Sequence, residues 1–511
     1  MAGEPIQPCP SSEFPSDVLI DKSESQQPEL LEKYGECGDG RNVLIAILDT
    51  GVDPSLPSLQ KTTTGERKIV DCIDCSGAGD VETNVVKSAV NGIVIGLTGR
   101  NLKIPGTWKN PTGKWHLGIK PIYELYPKNL RKIVKEDWKK ETWDTSHQIA
   151  KADALRDLVR HEESVGGFSD NIKDKHERED LACQVEFLRL VDKLEDKGPV
   201  ADCIVWHDGE QWKACIDTSF RGRLSLCRAM GEYRYTGEYG KLSDRDEACY
   251  TFRIEASGNR LEICVPNSAH GSHVANIAAA HFVGQPKLNG LAPGAKIVSL
   301  MIGDNRIDSM ETGTALVRAF SICATMRVDI VNMSFGEGTH FPARGRVIEE
   351  LQRLVEEHNV VFVASLGNSG PALSTVTTPG GTTPGVLGIG ARICAKQAGT
   401  LYGVANPVCS TLYPWSARGP CVDGSLGVSM SAPGAAVAAV PRYCRKYAQM
   451  MNGTSMSAPN ASGAIACMLS KIRADGSDWT PFRVRQALES TAVMPPNEEP
   501  FFMWKWCYTD P

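Results

Sequence analysis

The sequence predicts an α/β fold: a doubly wound, mostly parallel sheet with helices on both faces, interrupted by an α+β insertion. Three observations predict it. Short, continuous apolar runs recur along the chain and end in turn signals, as expected of strands buried on both faces of a sheet. Segments of helical period lie between the later runs, so strand alternates with helix. Between about residue 77 and residue 260 the texture changes to charged amphipathic stretches and hairpin-like segments. A chain of 511 residues also exceeds what one hydrophobic core usually supports, which favours an added unit.

Residues 1–40, rich in Pro, Ser and Glu, read as a mobile amino-terminal arm. A core domain is expected over 41–76 and 261–492. Its first strand is the run V-L-I-A-I-L from Val43, which leads at once into D-T-G-V-D-P. Further strands are expected at Lys296 to Ile302, Val328 to Ser334 and Asn359 to Ala364, with helices at Thr312 to Thr325 and Arg344 to Glu357. Within the insertion (77–260), Leu181, Val185, Leu188, Val191 and Leu194 mark an amphipathic surface helix over Arg178 to Lys197. The stretch Cys203 to Asp217 reads as a hairpin turning at Asp208-Gly209. Residues 493–511 form a divergent, aromatic-rich carboxyl tail.

A formal net charge of -6 gives no electrostatic reason to expect nucleic acid or an anionic membrane as partner. The amino terminus has no signal-peptide pattern, and no apolar run approaches the roughly 18 residues that a membrane span needs. The 17 cysteines lack the spacing of a disulfide framework, and the C-x-x-C at Cys72 and Cys75 has no second pair, so it reads as structural. Reduced thiols fit a cytoplasmic protein. No calcium-loop spacing occurs, so no metal or cofactor is expected.

Three motifs carry possible chemistry. Ser455 lies in N-G-T-S-M-S-A-P, a Gly-containing turn into a helix of small residues, where its N–H and the helix dipole would face a developing negative charge. Thr454 and Ser455 could equally be N-cap residues. His270, in A-H-G-S-H-V-A, could be a base or a turn residue; the second histidine, three positions on, lacks the intervening Glu and spacing of a metalloprotease helix. Asp49 follows a buried strand, where a carboxylate could orient a histidine or merely cap a turn.

Together, in the order Asp, His, Ser, these motifs resemble the subtilisin family, whose triad carries that order. The resemblance extends to V-A-S-L-G-N-S-G (Val363 to Gly370), to S-A-R-G-P at Ser416 and to S-A-P-G at Ser431. It implies a serine peptidase with Asp49, His270 and Ser455 as triad and Asn368 as oxyanion donor. The 221 positions between Asp49 and His270, with the segment V-W-H-D-G-E-Q-W-K-A-C-I-D, further resemble the tripeptidyl peptidase II family. That likeness implies an exopeptidase acting on peptides with a free amino terminus, and a homo-oligomer.

In subtilisins the segment here reading N-M-S-F-G-E (Asn332 to Glu337) binds substrate as an added strand. Where the family usually has a second Gly this chain has Glu337, which would obstruct an extended chain and attract an ammonium group. Glu311 resembles the family's second amine-binding acid, although Asp308-x-x-Glu311 also reads as a capping box and Glu337 as a solvated loop residue. Ser334, Phe335, Gly336 and Gly367 are expected to line an uncharged first specificity pocket. Two other readings stay open: an endopeptidase, and a truncated, inactive isoform acting as a binding or assembly subunit.

Overall fold

The computed structural model describes residues 16–339, 344–406 and 410–492. Its centre is a sheet of eight strands. Seven core strands are numbered here: β1 (Leu44–Asp49), β2 (Ile69–Asp74), β3 (Lys296–Met301), β4 (Ile330–Met333), β5 (Val361–Ser365), β6 (Val386–Ile393) and β7 (Met430–Pro433). The order is β6-β5-β4-β1-β3-β2, all parallel, with β7 and the short antiparallel Thr411–Leu412 both paired to β6. β1 therefore sits mid-sheet, with later strands added on either side. The crevice beyond its carboxyl end is a topological switch point, where α/β sheets place their sites.

Alternate residues of each strand feed two separate cores, because a strand's side chains point to opposite faces. Ile45 and Ile47 pack with α1 (Ala269–Ala279) and with α4 (Thr454–Ala474) on one face. Ala46 and Leu48 pack with α2 (Gly313–Met326) and α3 (Arg346–Glu356) on the other. Burial on both faces explains why these strands read as unbroken apolar runs. The expected strands and helices of this region all occur, with ends shifted by one or two residues.

The arm requires a correction. From Ser16 onward it is packed: Val18, Ile20 and Leu30 are buried, and Gln27–Tyr34 forms a helix. Ile20 bridges Ala436, and the Asp21 carbonyl accepts from Asn460 Nδ2 at 2.8 Å. A few apolar residues spaced through polar sequence suffice to cover α4. Residues 1–15 of the expected arm and the tail from 493 lie outside the described residues.

The insertion holds two four-stranded antiparallel sheets and two long helices, Thr145–Ser164 and Ile172–Val191, packed on each other. The expected surface helix thus starts and ends about six residues earlier than Arg178 to Lys197, capped by Asn171, whose side chain accepts from Lys173 N. Val200–His207 and Trp212–Ile216 form the expected hairpin. Its turn is fixed by Asp208 Oδ1, which accepts from the backbone N–H of Glu210 and Gln211, and by Gly209 at φ +106°.

Candidate active site

Asp49 is the last residue of β1 and is fully buried. Its Oδ1 accepts from Thr50 N at 2.7 Å and from Thr50 Oγ1 at 3.1 Å, which fixes the carboxylate plane. The first turn of α1 lies against it. His270 Nδ1 donates to Oδ1 at 2.8 Å and is 3.0 Å from Oδ2, leaving the other ring nitrogen for the cleft. Ser268 caps α1 by accepting from His270 N at 3.3 Å, and Thr50 Oγ1 accepts from Gly271 N at 3.0 Å. A Cβ at Gly271 would stand 2.5 Å from Gly51 O and 3.1 Å from Asp49 Oδ1, so only glycine lets the helix approach this closely.

Burial alone would lower the His270 pKa, but the charge and hydrogen bond of Asp49 outweigh it and the net shift is upward. His273, one turn on, is fully buried and behaves differently. Desolvation pushes its pKa down to about 4, so it is neutral, with Nε2 2.9 Å from Gln449 O. Its ring ties α1 to the backbone at Gln449. Among the described residues no group of three or more His, Cys, Asp or Glu is arranged to hold a metal ion.

Ser455 is not an N-cap. Gly453 caps α4, and Thr454 and Ser455 are its first two helical residues. Pro459 has no N–H to return to the Ser455 carbonyl, and that oxygen accepts instead from Ser334 Oγ at 3.0 Å. The Ser455 hydroxyl donates to the Ser334 carbonyl oxygen at 3.2 Å. This departs from the expected hydroxyl–imidazole contact: among the described residues, Ser334 is the hydroxyl's hydrogen-bond partner. The imidazole is nearby, since the His270 ring packs edge-on against Phe335, the residue after Ser334, with centroids 6.0 Å apart. Catalytic hydrogen bonds often tighten only when substrate binds.

Asn368 follows β5. Its Oδ1 accepts from Thr454 N at 2.9 Å and Thr454 Oγ1 at 3.0 Å, which turns its amide N–H groups outward. A Cβ built on Gly453 would lie 3.6 Å from both Asn368 Nδ2 and Ser455 N, so these two donors flank one small space. Two neighbouring N–H donors are what an oxyanion hole is built from. Gly367, one residue earlier, is pinned by donation to Thr454 Oγ1 at 3.1 Å. Gly336 and Gly367 face a common neighbour: a Cβ on either would come within 2.7 Å of the Thr377 side chain. Ser334, Phe335, Gly336 and Gly367 are thus gathered around Ser455 and Thr377. The sequence reasoning named Thr454 only as a possible N-cap and did not single out Thr50 or Thr377; Thr50 could have been found as the middle residue of D-T-G.

The capping-box alternative for Asp308 and Glu311 does not hold, because Thr312 caps α2. Glu311 lies instead in a small hairpin in which it pairs with Gly303 and Met310 pairs with Asp304. Glu337 is exposed, and its backbone is paired in both directions with Thr378. Desolvation and, secondarily, the Glu337 charge raise the pKa of half-buried Glu311, so the two carboxylates feel one another across the cleft. Neither has an ion-pair partner among the described residues.

The family model for the subtilase family matches residues 40–503, and the chain belongs to that family. It is a serine peptidase of the subtilisin type. The chain is 56% identical over 484 residues to tripeptidyl-peptidase 2 of Caenorhabditis elegans, covering 95% of this chain and 35% of that protein. It is 43% identical to tripeptidyl-peptidase 2 of Oryza sativa subsp. japonica, over 93% of this chain and 36% of the relative. A crystal structure of tripeptidyl peptidase 2 superposes with TM-score 0.71 at 30% identity, covering 96% of this chain and 36% of the other. The chain therefore spans about a third of the length of the curated relatives it matches.

Proposed function

We propose that this chain releases tripeptides from the free amino terminus of peptides through an acyl-enzyme. In this reading Ser455 Oγ attacks the scissile carbonyl and His270 takes its proton, held in the right tautomer by Asp49. Asn368 Nδ2 and Ser455 N stabilise the tetrahedral oxyanion. His270 then protonates the leaving amine, and water, deprotonated in turn by His270, releases the tripeptide.

The observation that carries the tripeptide reading is the presence of two carboxylates without an ion-pair partner among the described residues, Glu337 at the end of the substrate segment and Glu311 in the adjoining hairpin. Ser334 touches Ser455, and Glu337 follows three residues later along the same segment. At a strand's rise of about 3.3 Å per residue, that is the reach of three substrate residues. An ammonium group there would offset the desolvation and the Glu337 charge that raise the Glu311 pKa, and charge-assisted hydrogen bonds are roughly twice as strong as neutral ones. The test is a fluorogenic tripeptide offered with a free and with an acylated amino terminus. Cleavage of the free form alone, lost in Ser455→Ala, supports the proposal; equal cleavage of both makes the chain an endopeptidase, and no cleavage of either contradicts a catalytic role for this chain.

A further inference from the structure

We infer that Asn267 is a positioning residue that holds the Glu311 hairpin in register with the triad, an inference that rests on Glu311 binding the substrate's amino group. Asn267 lies three residues before His270, in the loop that enters α1, and is 3% exposed. It makes two bonds to two different elements. Its backbone N–H donates to Thr50 O at 2.8 Å, on the turn that orients Asp49. Its side-chain Nδ2 donates to Gly303 O at 2.6 Å. Gly303 is the residue directly opposite Glu311 in the hairpin.

The same hairpin leaves β3 at the level of the triad. Met301 pairs with Asp49, and Ile302 N donates to Asp49 O at 2.9 Å. From there to Glu311 the hairpin is two paired residues per strand, too few to define its own position. Arg306 braces it by a bidentate pair to Asp304 and also donates to Ser76 O at 3.2 Å, Asn305 Nδ2 reaches Leu125 O at 3.5 Å, and Lys128 of the insertion reaches Asp308 at 2.9 Å, a pair exposed to solvent. The Asn267 bond is the buried attachment at the Glu311 end. Gly303 accommodates it closely: a Cβ there would lie 2.9 Å from Ser309 O and 3.4 Å from Asn267 Nδ2. Among the described residues, the Asn267 Oδ1 has no hydrogen-bond partner, so the donation from Nδ2 is the side chain's one bond there. Replacing the amide by a carboxyl of the same shape removes the amide's donation to Gly303 O and loosens the hairpin.

The experiment measures binding of a free-amine tripeptide and its acylated counterpart by calorimetry to the full chain carrying Ser455→Ala, with Asn267→Asp, Asn267→Ser, Glu311→Gln and the Asn267→Asp/Glu311→Gln pair added. Asn267→Asp should weaken the free-amine peptide about tenfold and the acylated one less than twofold. In the Glu311→Gln background it should add less than a factor of two, because the residue acts through that acid. In chain with Ser455 intact, phosphonylation of Ser455 by a small uncharged reagent should keep its rate in Asn267→Asp, a readout that general unfolding would move. Asn267→Ser, smaller and uncharged, should give the same selective loss if the aspartate variant folds poorly. Additive losses, equal losses for both peptides, or slowed phosphonylation overturn the inference while leaving amine binding by Glu311 standing. No effect of Glu311→Gln on the free-amine preference overturns both.

Discussion

The two walls of the cleft are built on different terms. On the β1–α1 side, Asp49, Thr50 and His270 are joined directly to one another, and Gly271 lets helix and strand turn meet without a gap. On the β4–α4 side, Ser455 is held by reciprocal bonds with Ser334, and Asn368 is held by Thr454. The base is thus oriented before substrate arrives, whereas the nucleophile rests on a backbone carbonyl and must be released toward it. Preorganisation is invested where a wrong tautomer would be fatal, on the side of the imidazole.

Breaking the nucleophile's wall has the largest expected effect. Ser455→Ala should lower kcat by about 10^6-fold, the scale that subtilisin's own triad sets, measured on the free-amine tripeptide substrate. Breaking the prewired wall comes next: Asp49→Asn keeps the shape but favours the wrong imidazole tautomer, and should cost about 10^4-fold in kcat. Asn368→Ala removes one oxyanion donor and should lower kcat by about 10^2- to 10^3-fold with KM nearly constant. Smallest is Ser334→Ala, which leaves the Ser455 carbonyl without its acceptor role filled; a denaturant midpoint should report a loss of about 1–3 kcal/mol.

The pH profile sharpens the same comparison. His270 must be neutral to accept the proton, and its pKa is raised by Asp49, so activity should rise with pH along a limb centred above the ordinary imidazole value of 6.5. Asp49→Asn should move that limb to lower pH. Glu311, also raised, should bind the ammonium less well as pH falls through its own pKa, so KM should climb on the acid side.

The motif residues of both walls were legible in the sequence. Asp49, His270, Ser455 and Asn368 stand in short motifs whose local geometry follows from a strand end, a helix start or a glycine turn, so their types and surroundings could be read residue by residue. The strand β6 escaped that reading because V-L-G-I-G-A-R-I interrupts its apolar run with glycines that tertiary packing demands: a Cβ at Gly388 would lie 2.1 Å from Gly380 O. Asn267 and Thr377 escaped because their partners are distant in sequence: Asn267, although three residues before His270, reaches Gly303, and Thr377 faces Gly336. The packed arm was missed because three buried apolar residues in polar text give no period to detect. The orientation of the Ser455 hydroxyl is a rotamer choice, which no sequence pattern encodes.

The central claim, that His270 activates Ser455, is tested most directly by following phosphonylation of the protein across pH with mass-spectrometric mapping. The account predicts a single adduct on Ser455, forming at a rate that rises along an ionisation above 6.5 and that falls steeply in His270→Ala. An adduct on another residue, or a Ser455 adduct whose rate ignores both pH and the loss of the imidazole, would contradict it.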